Sequence, residues 1–405
     1  MTAAAPSPVP IPERIRIHPG PALLAGVADG PTLDAHQAHY GHAPEVGLSA
    51  LVDQVKRVGL RGRGGAAFPF ATKLETAARG RRPVVVVNLS EGEPASAKDT
   101  ALALRRPHLI LDGAVATARA LGSRDVHVVL PGDRSAPRER MLQAMHERHD
   151  EVRLVEHTAE ARFIAGQSRA VIELMSGRAN LPVTSWAPEA VDGYRRRPTL
   201  LSNAETWAQV GQLLHVGETE YRSLGTAAEP GTALLTFSRT GFVPEVREVP
   251  FGTRMGDVLP PFAHEATALL GGFHGAWTSW ETLADTRVSV GGAGIVHVLD
   301  PHACPLAFTS AVVDYLAGQS AGKCGPCLNG LPALSETIQR ALHGHDVAAR
   351  IDQLAQLLHR RGACAHPDGT VRMVHSMFTA LPDEIAAHRR GACSAGFGHG
   401  QAVAS

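Results

Sequence analysis

Four consecutive valines, Val84 to Val87, constrain the fold more than any other feature of the chain. A short, wholly apolar, β-branched run reads as a strand buried on both faces, as in a parallel sheet covered by helices. Two further strand-like runs follow, Val126 to Leu130, closing at Pro131-Gly132, and Val152 to Glu156. Between them, apolar residues recur at helical spacing over about Leu102 to Leu121 and about Pro137 to His149. Strand, helix, strand, helix, strand predicts an α/β domain built on a parallel sheet. In such sheets ligands sit at the carboxyl ends of the strands, which here means the loop Asn88 to Pro94.

The remaining chain divides by pattern. Residues 1–47 carry many Pro, Gly and His with little periodicity and read as an N-terminal arm or loosely packed lead-in. A helix from Leu48 to Val58 opens the α/β domain, taken as residues 48–227, and stops at Gly59. Ala233 to Ser238 and Val246 to Val249 look like a hairpin around Arg239-Thr-Gly241. A brief helix, Met255 to Leu259, and strand-like runs Arg287 to Val290 and Ile295 to Leu299 complete a small β-grasp (ubiquitin-like) module over 228–303. Four amphipathic segments, Leu306–Leu316, Leu328–Leu342, Val347–Leu358 and Val371–Leu381, predict a C-terminal four-helix bundle over 304–388. Residues 389–405, rich in Gly, Ala, Ser and His, read as a disordered tail.

Composition narrows the function classes. The formal net charge is +0, so no global field recruits nucleic acid or an anionic membrane. No apolar run approaches the roughly 18 residues needed to span a bilayer. Five unevenly spaced cysteines oppose a disulfide framework and favour a reducing cytoplasm.

Three motifs carry chemistry. Gly59-Leu-Arg-Gly-Arg-Gly-Gly-Ala-Ala-Phe-Pro69 holds four glycines and two arginines in eleven residues. Glycine permits positive φ and close backbone approach, and successive N–H groups can ring a phosphate. The loop follows a helix rather than a strand, so it is not the dinucleotide fingerprint. A flexible surface loop is the alternative, weighed against nearby Lys73 and the acidic loop one strand away. Asn88, Glu91 and Glu93 form the second motif; an Asn amide suits the edge of a heteroaromatic ring, whereas the bland reading is a solvated turn capping a helix. Third, Cys324-Gly-Pro-Cys327 opens a helix and Cys364 ends another, within Gly-Ala-Cys-Ala-His-Pro367. Such thiolates hold iron–sulfur clusters, or zinc with His366 as fourth ligand, or are simply buried thiols.

On these residues the chain resembles the NADH-oxidising FMN/iron–sulfur flavoprotein (F) subunit of respiratory complex I and related diaphorase subunits. The glycine loop differs at one residue, Ala67, from that family's pattern; Asn88-x-x-Glu-Gly-Glu-Pro94 with Lys98-Asp99, Asn203-Ala-Glu-Thr206, and Gly322-Lys-Cys-x-Pro-Cys-x-x-Gly330 with Cys364-Ala-His366 match the others. The resemblance implies FMN held by Gly62, Arg63, Gly64, Gly65, Lys73, Asn88, Asn203, Glu205 and Thr206. It places Phe68 near NAD(P)H, Glu91 and Glu93 at the reacting rings, and an iron–sulfur centre on Cys324, Cys327 and Cys364. A hydride would pass from NAD(P)H to FMN and single electrons onward to the centre and to a ferredoxin or other iron–sulfur partner. The implied setting is a cytoplasmic subunit with no membrane insertion of its own, whether free or peripheral to a membrane complex.

The departures fall where chemistry is expected. The family's first cluster cysteine is Ala321, so the resemblance implies a [3Fe–4S] centre or a [4Fe–4S] centre whose last iron takes water, Ser320 or a partner's ligand. Ser90 replaces an Asp, Gly166-Gln-Ser-Arg169 replaces a segment with two carboxylates, and Thr76 replaces an aromatic residue. The rival expectation is a catalytically impaired paralogue retained as a binding or assembly subunit.

Overall fold

The computed structural model describes residues 5–42, 44–393 and 395. The lead-in is docked rather than loose. It contains strand β1 (Arg16–Ile17) and helix α1 (Leu33–Tyr40), capped by the Thr32 hydroxyl. Leu23 and Leu24 are fully buried. The backbone N–H groups of Ala22, Leu23 and Leu24 all donate to the Glu248 carboxylate, at 3.1, 2.8 and 2.9 Å. A segment held by its backbone needs no apolar stripe, which is why periodicity does not reveal it.

Helices α2 (Leu48–Arg57) and α3 (Phe70–Ala78) lead into the first sheet. There follow β2 (Val84–Asn88), α4 (Lys98–Arg105), α5 (Pro107–Ala120), β3 (Asp125–Pro131), α6 (Ser135–His146), β4 (Arg153–Ala159), α7 (Ser168–Met175), β5 (Thr199–Asn203) and α8 (Ala204–Ser223). The sheet runs β4-β3-β2-β5 with every pairing parallel. β2 is interior: Val85 and Val87 face one buried cluster, Val84 and Val86 the opposite one. At roughly 2 kcal/mol per buried valine, this run anchors both layers. Trp207 of α8 is fully buried and donates from Nε1 to the carbonyls of Val86 and Ser202, at 3.0 and 3.1 Å, joining β2 to β5. The helix expected from Leu102 to Leu121 is two helices. Pro107 lacks an N–H and disfavours helical geometry in the preceding residue, and Arg106 leaves it (φ −137°, ψ 45°).

The second sheet contains β6 (Thr232–Arg239), β7 (Glu245–Pro250), β8 (Ala268–Leu270), β9 (Ala276–Thr278) and β10 (Ile295–Val298), with α9 (Trp280–Asp285) after β9. Its order is β1-β7-β6-β10-β8-β9. β6 and β7 form the expected antiparallel hairpin, and β10 lies parallel to β6. Arg287 to Val290 is not a strand; it makes an isolated bridge from Arg287 to Arg254. The helix expected at Met255 is a single tight turn, Met255–Asp257.

The C-terminal region is helical: α10 (Pro305–Gly318), a π-helical turn at Pro326–Gly330, α11 (Leu331–Leu342), α12 (Ala348–Leu358), α13 (His366–Ala380) and α14 (Pro382–Arg389). The expected four-helix bundle thus has a fifth, shorter helix, α14, held by buried Ile385. Cys393, expected in the tail, packs on the bundle core. The rest of the expected tail, Ser394 and residues 396–405, lies outside the described residues. Among the described residues no helix is long and apolar enough to cross a membrane.

Candidate functional site

The glycine loop is closed and pinned. α2 stops at Gly59 (φ +60°). Gly62 N–H donates to the Phe68 carbonyl at 2.8 Å, and Phe70 N–H to the Leu60 carbonyl at 2.9 Å. Arg63 N–H donates to the Thr206 hydroxyl at 2.9 Å, which seats the loop on the start of α8, and Gly64 lies against the Asn203 side chain. Gly65 (φ +98°) bridges to Gly292 (φ +65°), which in turn approaches Gly271 (φ +93°). Three glycine segments, two of them from the second sheet, therefore meet as bare backbone beside the carboxyl end of β2. Sequence reading missed the second-sheet share, although Gly291-Gly-Ala-Gly294 ahead of a strand was a signal for it.

The side chains named from sequence divide into two sets. Arg63 is buried, its guanidinium 4.4 Å from the Phe251 ring and hydrogen-bonded to Tyr221, so its charge points into the core and away from the loop. Glu91 (φ +40°) is also enclosed. Its carboxylate accepts from Asp99 N–H, Thr100 N–H, the Ser96 and Thr100 hydroxyls, and Arg134 at 3.1 Å. Those bonds hold its carboxyl below the usual range despite burial, and they cap α4. Glu205 is buried between Lys98 Nζ (2.9 Å) and Leu234 N–H (3.0 Å), tying α8 to β6. Glu91 and Glu205 are committed to protein partners, whereas Arg63 keeps a buried Nε without one.

The second set borders the glycine convergence. Asn203 caps α8, accepting from Thr206 N–H at 3.3 Å and from its hydroxyl, while its amide donates to Asp99 at 3.2 Å. Asn88 donates to the Gly166 carbonyl (2.8 Å) and accepts from the Ser90 hydroxyl at 2.5 Å. Lys73 reaches the Leu201 carbonyl at 3.2 Å and Glu189 at 3.5 Å, and stays a quarter exposed. Phe68 is 46% exposed at the lip of the loop. Glu93 is half-buried beside Gly272, with its carboxyl turned inward; Oε2 accepts from Phe273 N–H at 3.0 Å and the enclosed Oε1 has no protein partner. Desolvation pushes this carboxyl up to about 8.

The three cysteines gather at the start of the π-helical turn. Cys327 N–H and Leu328 N–H both donate to the Cys324 carbonyl, at 3.1 and 3.0 Å. Cys327 is buried, with Cys324, Cys364 and the Ser320 hydroxyl as neighbours, and its thiol is pushed up to about 12, first by burial. The zinc alternative fails on His366. That ring is fully buried, with Nε2 2.8 Å from the Leu316 carbonyl and Nδ1 3.1 Å from His274, so it is not a fourth ligand there. His274 and His366 belong to an aromatic junction with Phe163, Phe273 and Tyr315 that joins the first sheet, the second sheet and the bundle.

Comparison with known proteins agrees with this layout. Residues 55–212 match the Nuo51 FMN-binding domain, and residues 307–388 match the NADH-ubiquinone oxidoreductase-F iron–sulfur binding region. The chain belongs to this family of flavoproteins. The second F subunit of the NADH-quinone oxidoreductase of Rhizobium meliloti is 27% identical over 91% of this chain and 97% of its own length. The F subunit of the Escherichia coli NADH-quinone oxidoreductase is 27% identical over 87% and 86%. A chain of the NAD+-reducing [NiFe]-hydrogenase, solved in the air-oxidized state, superposes with a TM-score of 0.80 at 25% identity, covering 92% of this chain and 68% of that one.

Within the family the departures have local accounts. Ser90 fastens Asn88 through its hydroxyl. Arg169 donates to the carbonyls of Asp192 (2.8 Å) and Ala187, fastening the 187–192 loop where the family pattern has carboxylates. Ala67 holds a left-handed φ of +50° where the pattern has glycine. The Thr76 hydroxyl turns back to the Thr72 carbonyl at 2.7 Å.

Proposed function

We propose that this chain is the electron-entry subunit of an oxidoreductase complex. It oxidises a reduced nicotinamide dinucleotide with FMN and delivers electrons to an iron–sulfur centre. The observation that carries this reading is the coincidence of the two family regions with the two built sites, the glycine convergence and the Cys324–Cys327–Cys364 group, on either side of one aromatic junction.

The residues present fit FMN. Bare backbone from three glycine segments leaves room for a flat ring and for phosphate oxygens against N–H groups. Lys73 supplies a cation, and the amides of Asn88 and Asn203 are already oriented by their protein bonds. The buried, partnerless Oε1 of Glu93 awaits a group to bond. FMN, when bound, supplies an acceptor that takes two electrons together and releases them singly. Phe68 offers an exposed face to the dinucleotide. Glu93, largely protonated near neutral pH, holds a proton beside the rings, and we assign it the acid/base role and Glu91 a scaffolding one.

Cys324, Cys327 and Cys364 would hold the iron–sulfur centre. With Ala321 in the place of the family's first cluster cysteine, a [3Fe–4S] centre or a [4Fe–4S] centre completed by Ser320 is the form these side chains support; Ser320 already lies beside Cys327. The hairpin with β10 returning parallel to β6 supports a β-grasp reading of the second sheet. We place the protein in the cytoplasm, handing electrons to a ferredoxin-like or other iron–sulfur protein, with NADH and NADPH both candidate donors. The loss of carboxylates at Gly166–Arg169 favours the alternative, an impaired assembly subunit. Anaerobic titration decides: either dinucleotide should bleach the flavin and the centre of protein that releases FMN on denaturation. Protein that binds FMN but is bleached by neither is the assembly paralogue.

A further inference from the structure

We propose that Cys304, Glu384, His388 and Cys393 form a second, separate metal site, a closed tetrahedral site suited to Zn2+. One ligand atom from each lies within 4.8 Å of all the others. Cys304 Sγ is 3.2 Å from His388 Nε2 and 3.4 Å from Glu384 Oε1. Glu384 Oε1 is 3.0 Å from His388 Nε2 and 3.4 Å from Cys393 Sγ. Tetrahedral zinc, with Zn–S near 2.3 Å and Zn–N or Zn–O near 2.0–2.2 Å, has ligand–ligand edges of about 3.4–3.8 Å. An ion at the centre would therefore lengthen these four separations by only a few tenths of an ångström, and the remaining two already lie within 4.8 Å.

Three features build the site. Cys304 is the N-cap of α10, accepting from Ala307 N–H at 3.3 Å, so its sulfur is fixed by the first turn. Glu384 and His388 are four residues apart on α14 and project from one face, and Cys393 follows just past that helix. The His388 Nδ1 lies 3.1 Å from the Leu342 carbonyl. An N–H there fixes the tautomer that leaves the Nε2 lone pair facing the two sulfurs and the carboxylate, the outer-shell arrangement typical of metal-binding histidine. Glu384, His388 and Cys304 are 6%, 4% and 9% exposed. With four protein ligands and no open position, the site is structural rather than catalytic. Loading expels the two thiol protons and joins the first helix of the bundle to the last. None of the four residues belongs to the Cys324–Cys327–Cys364 group, so zinc and iron can be counted independently.

The test uses the full-length chain, purified anaerobically after growth with zinc, and measures zinc and iron per chain by mass spectrometry. Wild type should carry one zinc per chain at this site, and Cys327→Ala should lose iron but keep that zinc. Cys393→Ser, a change at a partly exposed position beyond the last helix, should keep iron and lose the zinc, with affinity reduced at least about 100-fold in a chelator competition. Glu384→Gln should weaken it about tenfold to 100-fold. Replacement by Co2+ should give thiolate-to-cobalt absorption that Cys393→Ser abolishes. Less than about 0.2 zinc per wild-type chain, or zinc retained in full by Cys393→Ser, overturns the site. So does a Cys304–Cys393 disulfide in the anaerobic protein, or iron rather than zinc lost with Cys393.

Discussion

Replacing Glu93 by glutamine tests the central electrostatic feature of the site. The amide keeps the shape and can still accept from Phe273 N–H, but it cannot ionise. Burial holds the native carboxyl at about 8, against an ordinary value near 4.5. Because the folded value is the higher one, the native state binds the extra proton, and its stability falls as pH rises through this window. The slope is about 1.4 kcal/mol per pH unit between the two values. From pH 5.5 to 7.5 wild type should therefore lose about 2.7 kcal/mol relative to Glu93→Gln. With an unfolding entropy near 2.1 cal/mol/K per residue over 405 residues, that is about 3 °C in Tm. Thermal unfolding of the flavin-stripped chain and the variant, in matched buffers at half-unit pH steps, reads the difference directly. Other groups titrate alike in both proteins and cancel. Parallel Tm curves across the window would refute the reasoning, because they would mean that Glu93 is ionised throughout.

Other consequences can be checked separately. Ala67→Gly relieves a left-handed φ that costs an L-residue about 1–2 kcal/mol, less the roughly 0.5–1 kcal/mol of extra glycine entropy, so denaturant unfolding should show a gain of up to about 1.5 kcal/mol. Arg134→Met leaves the buried Glu91 carboxylate without its cation and should cost about 3–5 kcal/mol; a cost under about 1 kcal/mol would mean that Glu91 takes up a proton instead. Phe68→Ala should leave FMN content unchanged and raise KM for the dinucleotide up to about tenfold, the worth of one aromatic stacking contact; unchanged KM would remove Phe68 from the dinucleotide path. Arg63→Met should reduce stability through the lost Phe251 stack, with FMN content per folded chain maintained; selective FMN loss would return Arg63 to the phosphate.

Much of the first domain was legible because its interior strand is a run of valines that no other environment would take. β5 was not: Thr199-Leu-Leu-Ser-Asn203 carries only two apolar residues, and its place beside β2 rests on the Trp207 indole and on backbone pairing. The glycine loop and the cysteines were readable as local motifs. The roles of Arg63, Glu91 and Glu205 were not, since a residue type and a spacing do not say whether a charge turns outward or inward. Glu91 and Glu93 are two residues apart, yet one is saturated with donors and the other has an oxygen left over. Only the tertiary surroundings separate them. In the second metal cluster Glu384, His388 and Cys393 are neighbours in sequence, but Cys304 lies 84 residues from His388, and no local pattern says that it joins them.

The pairing of β1 with β7 ties Arg16 to Glu245 across 229 residues of chain. At 5–20 residues per second, about 10–45 s of synthesis separates the emergence of the two partners. Strand β1 is thus among the last elements to find its partner, and a substitution at Arg16 or Ile17 will report on closure of the second sheet long after the valine strand has been made.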